Sequence, residues 1–559
     1  MGNEFTVNTY EDNWQDQPEL VTFADGSFLI SWRSFFFDTD TYYVAAQLYD
    51  KFGQAVGGER VLDASEGSAS EINDMARLAD GGFVVTFSFS FDGLLDQDET
   101  YAKVYNADMS VRKSAFRVDT LPTFQTLGGS VAPLSNGGFM VVFGYDGVDT
   151  SALKGDFDDI YAQRYTKNGT KIGGNFRLNT KVNDFDQNAP ESVQLKNGNT
   201  LVIWHSEASF PTAGDLDSNE IRGSLFSGTG KLLRSDFSIA DAEGTVGDGI
   251  DPYNMCALNN GGFALARYET VSSGSRDYTY DVKLRLFNGS GSAASQEITV
   301  TKATRGIIYD IDVTQLATGE IVVVWQTPST TDFPYDDVLG KVFDSSGRAL
   351  SGTFNIAQNT TLAQEEPKID ALAGGGFVVT YMSEQADADH DGIAARIFGR
   401  GTAAADNVTV DATGYFAGFA GDDKIGGNKY ANELYGGSGD DELWGRGGND
   451  LLDGGKGSDT FYFTANLNTK TNVDRVGGFT HGLDDIALSK SVFAAIGDRL
   501  TKSEFQLGLR ANDANNFIIY DKAKGYIYYD PDGDGTAKQT LFADLKNGTV
   551  LDVNDFLMV

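Results

Sequence analysis

At 559 residues, with 41% hydrophobic and 12% aromatic side chains, the chain is too long for one core yet apolar enough to fold over most of its length, which implies several domains or a repeat array. Its 80 acidic residues against 43 basic ones leave a formal net charge of -37, which excludes nucleic acid and anionic lipid as electrostatic partners and favours cations. The single cysteine, Cys256, excludes an internal disulfide framework and a thiolate metal cluster, and in the apolar run NMCAL it reads as a buried, inert thiol.

The first residues, MGNEFTVNTYEDNW, lack the basic and apolar regions of a Sec signal peptide, and no apolar run is long enough to cross a membrane as a helix. From residue 24 a unit recurs. ADGSFLISW (24–32) returns as ADGGFVVTF (79–87), SNGGFMVVF (135–143), KNGNTLVIW (196–204), NNGGFALAR (259–267), ATGEIVVVW (317–325) and AGGGFVVTY (373–381). Each places a tight glycine turn before an apolar, β-branched run, the pattern of a hairpin leading into a buried strand. A third strand such as DIYAQRYTKNG (159–169) and a short fourth such as NFRLN (175–179) follow. Four antiparallel strands per unit, seven times over, predict a seven-bladed β-propeller across residues 1–400, with an open solenoid or sandwich array as the alternative. The seventh unit has a third strand (392–401) but no fourth, and NEFTVN (3–8) fits the missing pattern, so the N-terminal strand is expected to close the ring. The unit resembles the GGFVVTW…IYAQRYD repeats of many large secreted bacterial proteins, a resemblance that implies no single activity.

Within each unit the glycine turns share one face and the long second-to-third loops share the other. The loops at 33–43, 88–101, 144–159, 205–220 and 326–337 mix carboxylates with Phe and Tyr, a combination suited to sugar rings or calcium-bridged polyanions. A merely solvated acidic face fits equally well. In the seventh unit DADHDG carries Asp387, Asp389 and Asp391 as weaker calcium candidates, but Phe398 stands where an EF-hand needs Glu.

Residues 401–417 read as a linker, and then the composition changes. Gly418, Gly427, Gly436, Gly445 and Gly454 fall nine apart, as do the apolar residues Ile425, Leu434, Leu443, Leu452 and Phe461. The sixth place of each unit holds Asp423, Asn432, Asp441, Asp450 and Asp459. The pattern resembles the G-G-x-G-x-D-x-U-x repeat of the RTX family, which implies a parallel β-roll over residues 418–463 that binds Ca²⁺. In such a roll each nonapeptide makes one tight glycine turn and one short strand with its apolar residue inward, and two complete a coil, so residues 18 apart would stack roughly 4.8 Å apart. Carboxylates stacked so closely repel, and a hard cation with about 6 to 8 oxygen ligands removes the repulsion. The implied ligands are Asp423, Asp441 and Asp459 on one side and Asn432 with Asp450 on the other, giving two good sites and one weaker one, with Gly421, Gly437, Gly439, Gly448, Gly455 and Gly457 supplying turn geometry and carbonyl oxygens.

Residues 464–559, with VDRVGGFTHGLDDIALS (473–489) and the ending DVNDFLMV, resemble the C-terminal part of serralysin-type RTX proteins, which implies a β-rich cap and an uncleaved type I secretion signal. On that reading an ABC channel exports the chain and extracellular calcium folds the roll. DPDGDG adds Asp530, Asp532 and Asp534 as weaker calcium candidates, although an ordinary turn fits as well. No H-E-x-x-H occurs, and His205, His390 and His481 are scattered, so a His-based zinc protease is excluded; His205 reads as a surface imidazole. The expectation is an all-β, secreted, calcium-binding protein whose loop face binds polysaccharide or a cell surface. A polysaccharide- or phosphoester-cleaving enzyme built on loop carboxylates is the alternative, ahead of a toxin or surface-layer protein.

Overall fold

The computed structural model describes residues 4–9, 14–36, 41–51, 53–63, 70–90, 98–119, 126–146, 158–180, 186–207, 220–241, 253–272, 278–305, 310–317, 319–328, 336–349, 353–357, 362–373, 376–384, 391–399, 405–410, 415–418 and 421–559. Seven antiparallel four-stranded sheets follow one another along the chain. The first is Trp14–Thr22, Phe28–Phe36, Thr41–Tyr49 and Arg60–Asp63. In the last, Gln364–Ala371, Phe377–Ser383 and Gly392–Phe398 are joined by the N-terminal strand Phe5–Thr6, with Phe5 opposite Ala395 and Thr6 opposite Ala394. Each sheet's first strand lies against the first strands of its two neighbours, and the series returns from the seventh to the first. The protein therefore contains a seven-bladed propeller closed by its own N-terminus.

The glycine turns work as their sequence implies: Phe23 and Ser27 close the first, with Gly26 at φ 86° where an L side chain would be strained. The apolar runs become second strands whose residues pack between blades, so Phe28, Phe83, Phe139, Phe263 and Phe377 are all fully buried. Each stacks on an aromatic ring of its third strand, as Phe28 does on Tyr49 at 5.1 Å and Phe263 on Phe287 at 4.6 Å. Carboxylates tie blades together: Asp74 Oδ2 accepts the Val131 N–H at 2.7 Å, Asp312 Oδ2 that of Ile369 at 2.8 Å, and Asp370 Oδ2 that of Thr22 at 3.0 Å.

Beyond the propeller, two parallel ladders form a roll. One runs Asn407–Thr409, Lys424–Gly426, Glu442–Trp444, Thr460–Phe463, Asp485–Leu488 and Phe556–Met558; the other begins Tyr415–Ala417, Glu433–Ser438, Leu451–Lys456, Asp474–Gly477 and Thr540–Leu545. The first coil thus starts inside the stretch read as a linker, because Val408 and Phe416 take the inward places opposite Ile425 and Leu434. The roll also outlasts its repeats: the segment read as a cap supplies two further strands to the first ladder, and the second sheet continues through the antiparallel hairpin of Tyr526–Tyr529 and Ile518–Asp521 to the edge strand Phe505–Leu507, which lies parallel to Ile518–Asp521. Tyr435 of the roll packs on the core of blades six and seven, and the Glu433 carboxyl faces that of Glu320, so burial and this like charge push Glu433 well above its usual range.

Candidate calcium centre

The roll's interior is two facing columns, Ile425, Leu443 and Phe461 on one ladder and Leu434 and Leu452 on the other, and all five are fully buried. With one inward side chain per nine residues, apolar burial is thin, and the turns must be held by something else. Gly421, Gly437, Gly439, Gly448, Gly455 and Gly457 all have φ between 95° and 139°. A β-carbon on Gly457 would collide with the carbonyl of Gly439, so the turns stack too closely for any other residue.

The sixth-place residues form two hydrogen-bonded ladders. The Asp423 N–H donates to Asp441 Oδ1 at 2.8 Å, the Asp441 N–H to Asp459 Oδ1 at 3.0 Å, and, on the other side, the Asn432 N–H to Asp450 Oδ1 at 2.8 Å. All five side chains are at most 2% exposed. Asp423 Oδ1 accepts the Asp406 N–H at 2.7 Å, so one oxygen of each carboxylate is used, and Oδ2 of Asp423, Asp441 and Asp450 is buried without a partner among the described residues. Asn432 differs: its Oδ1 accepts the Asn428 N–H at 2.7 Å and its Nδ2 is left unsatisfied. Burial first, and neighbouring carboxylates second, push Asp441 up to about 7; burial also lifts Asp423 and Asp459 to about 6. Anionic oxygens stacked at a coil spacing, dry and unpaired, are a donor set for a hard cation. No three His, Cys, Asp or Glu side chains gather round one point among the described residues.

The pattern matches the model of the RTX calcium-binding nonapeptide repeat, in four copies, over residues 426–461. Residues 426–461 are RTX calcium-binding repeats. The buried oxygens fit that assignment, since a metal supplies the charge that the RTX turns lack. No curated protein matches the chain. Among solved structures, a protein of unknown function from Dyadobacter fermentans is similar at 11% identity, covering 71% of this chain and 97% of its own, with a TM-score of 0.40. A point mutant of the NanB sialidase from Streptococcus pneumoniae is similar at 11% identity over 68% of each chain, TM-score 0.37. A mutant α-L-arabinofuranosidase from Fusarium graminearum is similar at 11% over 61% of this chain and 96% of its own, TM-score 0.38. Likenesses this distant say nothing about activity here.

Outside the RTX turns, the other sequence candidates fare differently. Asp387, Asp389 and His390 lie outside the described residues; Asp391 is half-buried and its carbonyl accepts the Gln15 N–H. Asp532 Oδ2 accepts the N–H groups of Thr536 and Ala537, and Asp530 Oδ1 that of Asp532; Asp534 is exposed. His205 corrects its reading as a surface group: it ends the second strand of blade four, is 2% exposed, and burial lowers it to about 4, so it stays neutral. His481 pairs with Asp555 at 2.8 Å. Cys256 is half-buried beside the propeller's central channel, and burial pushes its thiol up. Most of the loop face at 37–40, 91–97, 147–157, 208–219 and 329–335 lies outside the described residues.

Sequence reasoning passed over the channel, a space of about 740 Å³. Opposite equivalent places of the second strands stand Glu19, Asp74, Ser130, Glu191, Asn254, Asp312 and Lys368. Lys368, the one cation of the seven, pairs with Glu19 at 2.8 Å. Burial raises Asp74, Glu191 and Asp312, the last to about 7. The available signal was a repeated Gln-x-x-Pro: Gln15, Gln187 and Gln364 precede β-bulges at which Gln17, Ala189 and Glu366 take φ of 50°, 46° and 54°.

Proposed function

We propose that this is a secreted, calcium-dependent binding protein whose RTX roll folds on Ca²⁺ outside the cell and whose propeller loop face holds an extracellular polysaccharide or cell-surface glycan. The ligands for the roll's ions are the unpartnered oxygens of Asp423, Asp441 and Asp450 and the carboxylate of Asp459 with the turn carbonyls, Asn432 marking the weaker site. The observation that carries the glycan reading is an aromatic shelf on the loop side of blade one. Trp14 is 51% exposed and lies 6.5 Å from Phe35, which lies 4.6 Å from Tyr42. Beside it the Arg33 guanidinium is held by Asp16 through two bonds, at 2.7 and 2.6 Å, and sits 5.0 Å from the Tyr42 ring. Flat rings flanked by a fixed cation and carboxylates present the apolar face and the hydrogen-bonding edge that a sugar ring needs. Export by a type I channel accords with the RTX repeats, and no helix among the described residues is long and apolar enough to cross a membrane.

A glycan array probed with the full chain, with and without chelator, tests the reading. Calcium-dependent retention on a polysaccharide without release of product is the expected result, and Trp14→Ala weakens it about tenfold, which is about 1.4 kcal/mol and within reach of one aromatic contact. Product release would replace the binder with an enzyme, and no retention on any glycan would remove both.

A further inference from the structure

Three blades begin with Gln-x-x-Pro, and the bulge there sets a cross-strand pair at the loop end of each: Asp16 opposite Arg33 in blade one, Asn188 opposite His205 in blade four and Glu365 opposite Met382 in blade seven. Blade one closes its pair on itself, since Arg33 donates twice to Asp16. Blade four does not. His205 is 2% exposed, yet its Nδ1 and Nε2 both lack a partner among the described residues, and so does the buried Oδ1 of Asn188.

The neighbouring groups are taken or apolar. Ile203, on the same side of its strand as His205, packs between blades four and five with Ile221, Leu265 and Tyr253. The Tyr253 hydroxyl donates to the Ala189 carbonyl, and it is the His205 backbone, not the ring, that lies against its oxygen. Arg267, opposite Tyr253 on blade five, is held by Glu297 at 2.7 Å. Buried polar atoms are ordinarily paired, so three unpaired ones on two facing side chains call for a partner from outside the fold.

The atoms describe that partner. Burial keeps the imidazole neutral, with one nitrogen donating and the other accepting, and Asn188 adds a second acceptor. A carboxylate would meet only one donor there, and a metal ion no anionic ligand in the pair. Two neighbouring hydroxyls, which both give and take hydrogen bonds, match it. Each of the two residues stands two places from the end of its strand, His205 in Thr200–Glu207 and Asn188 in Asp186–Gln194, so they lie at the loop-face end of the seam.

We propose that His205 and Asn188 form a second sugar subsite, at the seam of blades four and five, which takes two neighbouring hydroxyls of an uncharged residue of the polysaccharide. The proposal rests on the glycan reading of the loop face. With the ring buried in the free protein, entry of the sugar requires the imidazole to turn toward that face, and the bonds it gains there replace none that the closed seam makes.

The glycan array, read with the full chain in calcium, tests this through His205→Phe, which keeps a ring in the seam and removes both nitrogens. Retention on neutral glycans is expected to fall about tenfold while the melting temperature rises, because two unpaired polar atoms leave an apolar seam. A lowered melting temperature with unchanged retention would make His205 purely structural and overturn the site. Retention confined to charged glycans, or weakened by Trp14→Ala but not by His205→Phe, overturns the subsite and leaves the glycan reading standing; no retention by the wild type on any glycan overturns both. Should His205→Phe fail to fold, crystals of the wild-type chain soaked with the best-retained neutral oligosaccharide decide: sugar hydroxyls bonded to His205 support the site, and an enclosed water alone on the two side chains overturns it.

Discussion

The propeller and the roll solve the same problem, burying a β-sheet's polar backbone, with opposite resources. In the propeller, carboxylates that enter the interior find hydrogen donors: Asp74, Asp312 and Asp370 each cap an N–H of the next blade, and the bulk of the cohesion comes from aromatic and β-branched side chains. In the roll one apolar residue serves nine, and Asp423, Asp441 and Asp450 each bring an oxygen that no described residue satisfies. A buried carboxylate is therefore a rivet in one region and, on the proposed reading, a seat for a metal in the other. The distinction lies in whether the second oxygen also finds a donor, as in Asp74, Asp312 and Asp370, and not in residue type.

Removing calcium should expose this contrast most visibly. Chelation is expected to unfold the roll and leave the propeller, because on the proposed reading ion binding supplies the folding free energy of the roll. Hydrogen exchange read by mass spectrometry should show amides across 423–463 losing protection while those of Phe28–Phe36 and Ile321–Pro328 keep theirs; equal loss in both regions would remove the contrast. Next in size is a cut to the propeller core. Trp325 is fully buried, and Trp325→Ala should cost the propeller about 3–5 kcal/mol, read as a fall in its melting temperature that is the same with and without calcium.

The smallest expected effect concerns the channel. Asp74, Glu191 and Asp312 face one another and Glu19 across it, with Lys368 as the ring's cation, and burial holds their folded-state pKa values above the ordinary carboxylate range. A raised folded value means that the native state binds more protons than the unfolded one, so stability is fullest at low pH and falls as pH rises from the ordinary carboxylate value through about 7, where Asp312 titrates. Calorimetry of the propeller transition should accordingly show Glu191→Gln raising the melting temperature more at pH 8 than at pH 5. A uniform shift would mean that the channel is wet enough to leave Glu191 unperturbed.

The blades were legible because their turns leave a strict mark, glycine at positive φ followed by five apolar places, and the seven copies reinforce one another. The nonapeptides were legible for a similar reason: a nine-residue rhythm leaves the sixth-place residues nowhere else to go. The roll strands Asp474–Gly477 and Asp485–Leu488 were not, because the insertion after Phe463 breaks the rhythm while the strand register survives it. The channel ring was hidden by chemistry rather than by spacing. Glu19, Glu191 and Lys368 look like surface charges in a chain rich in them, and only closure of the ring turns them toward one another. His205 misled for the opposite reason, since the end of a strand reads as exposed until the neighbouring blade covers it.

The clasp of the propeller is very short. Two residues of the N-terminal strand, with the Val7 N–H on Ile393 O and the Ile393 N–H on Asn8 Oδ1, join parts of the chain almost four hundred residues apart. So brief a seam gains little until all seven sheets stand in place, so it should be the last part of the circle to form and the first to part under tension. Cargo tethered at the beginning of the chain would pull on the latch itself, whereas cargo hung from an outer turn would load a finished wall.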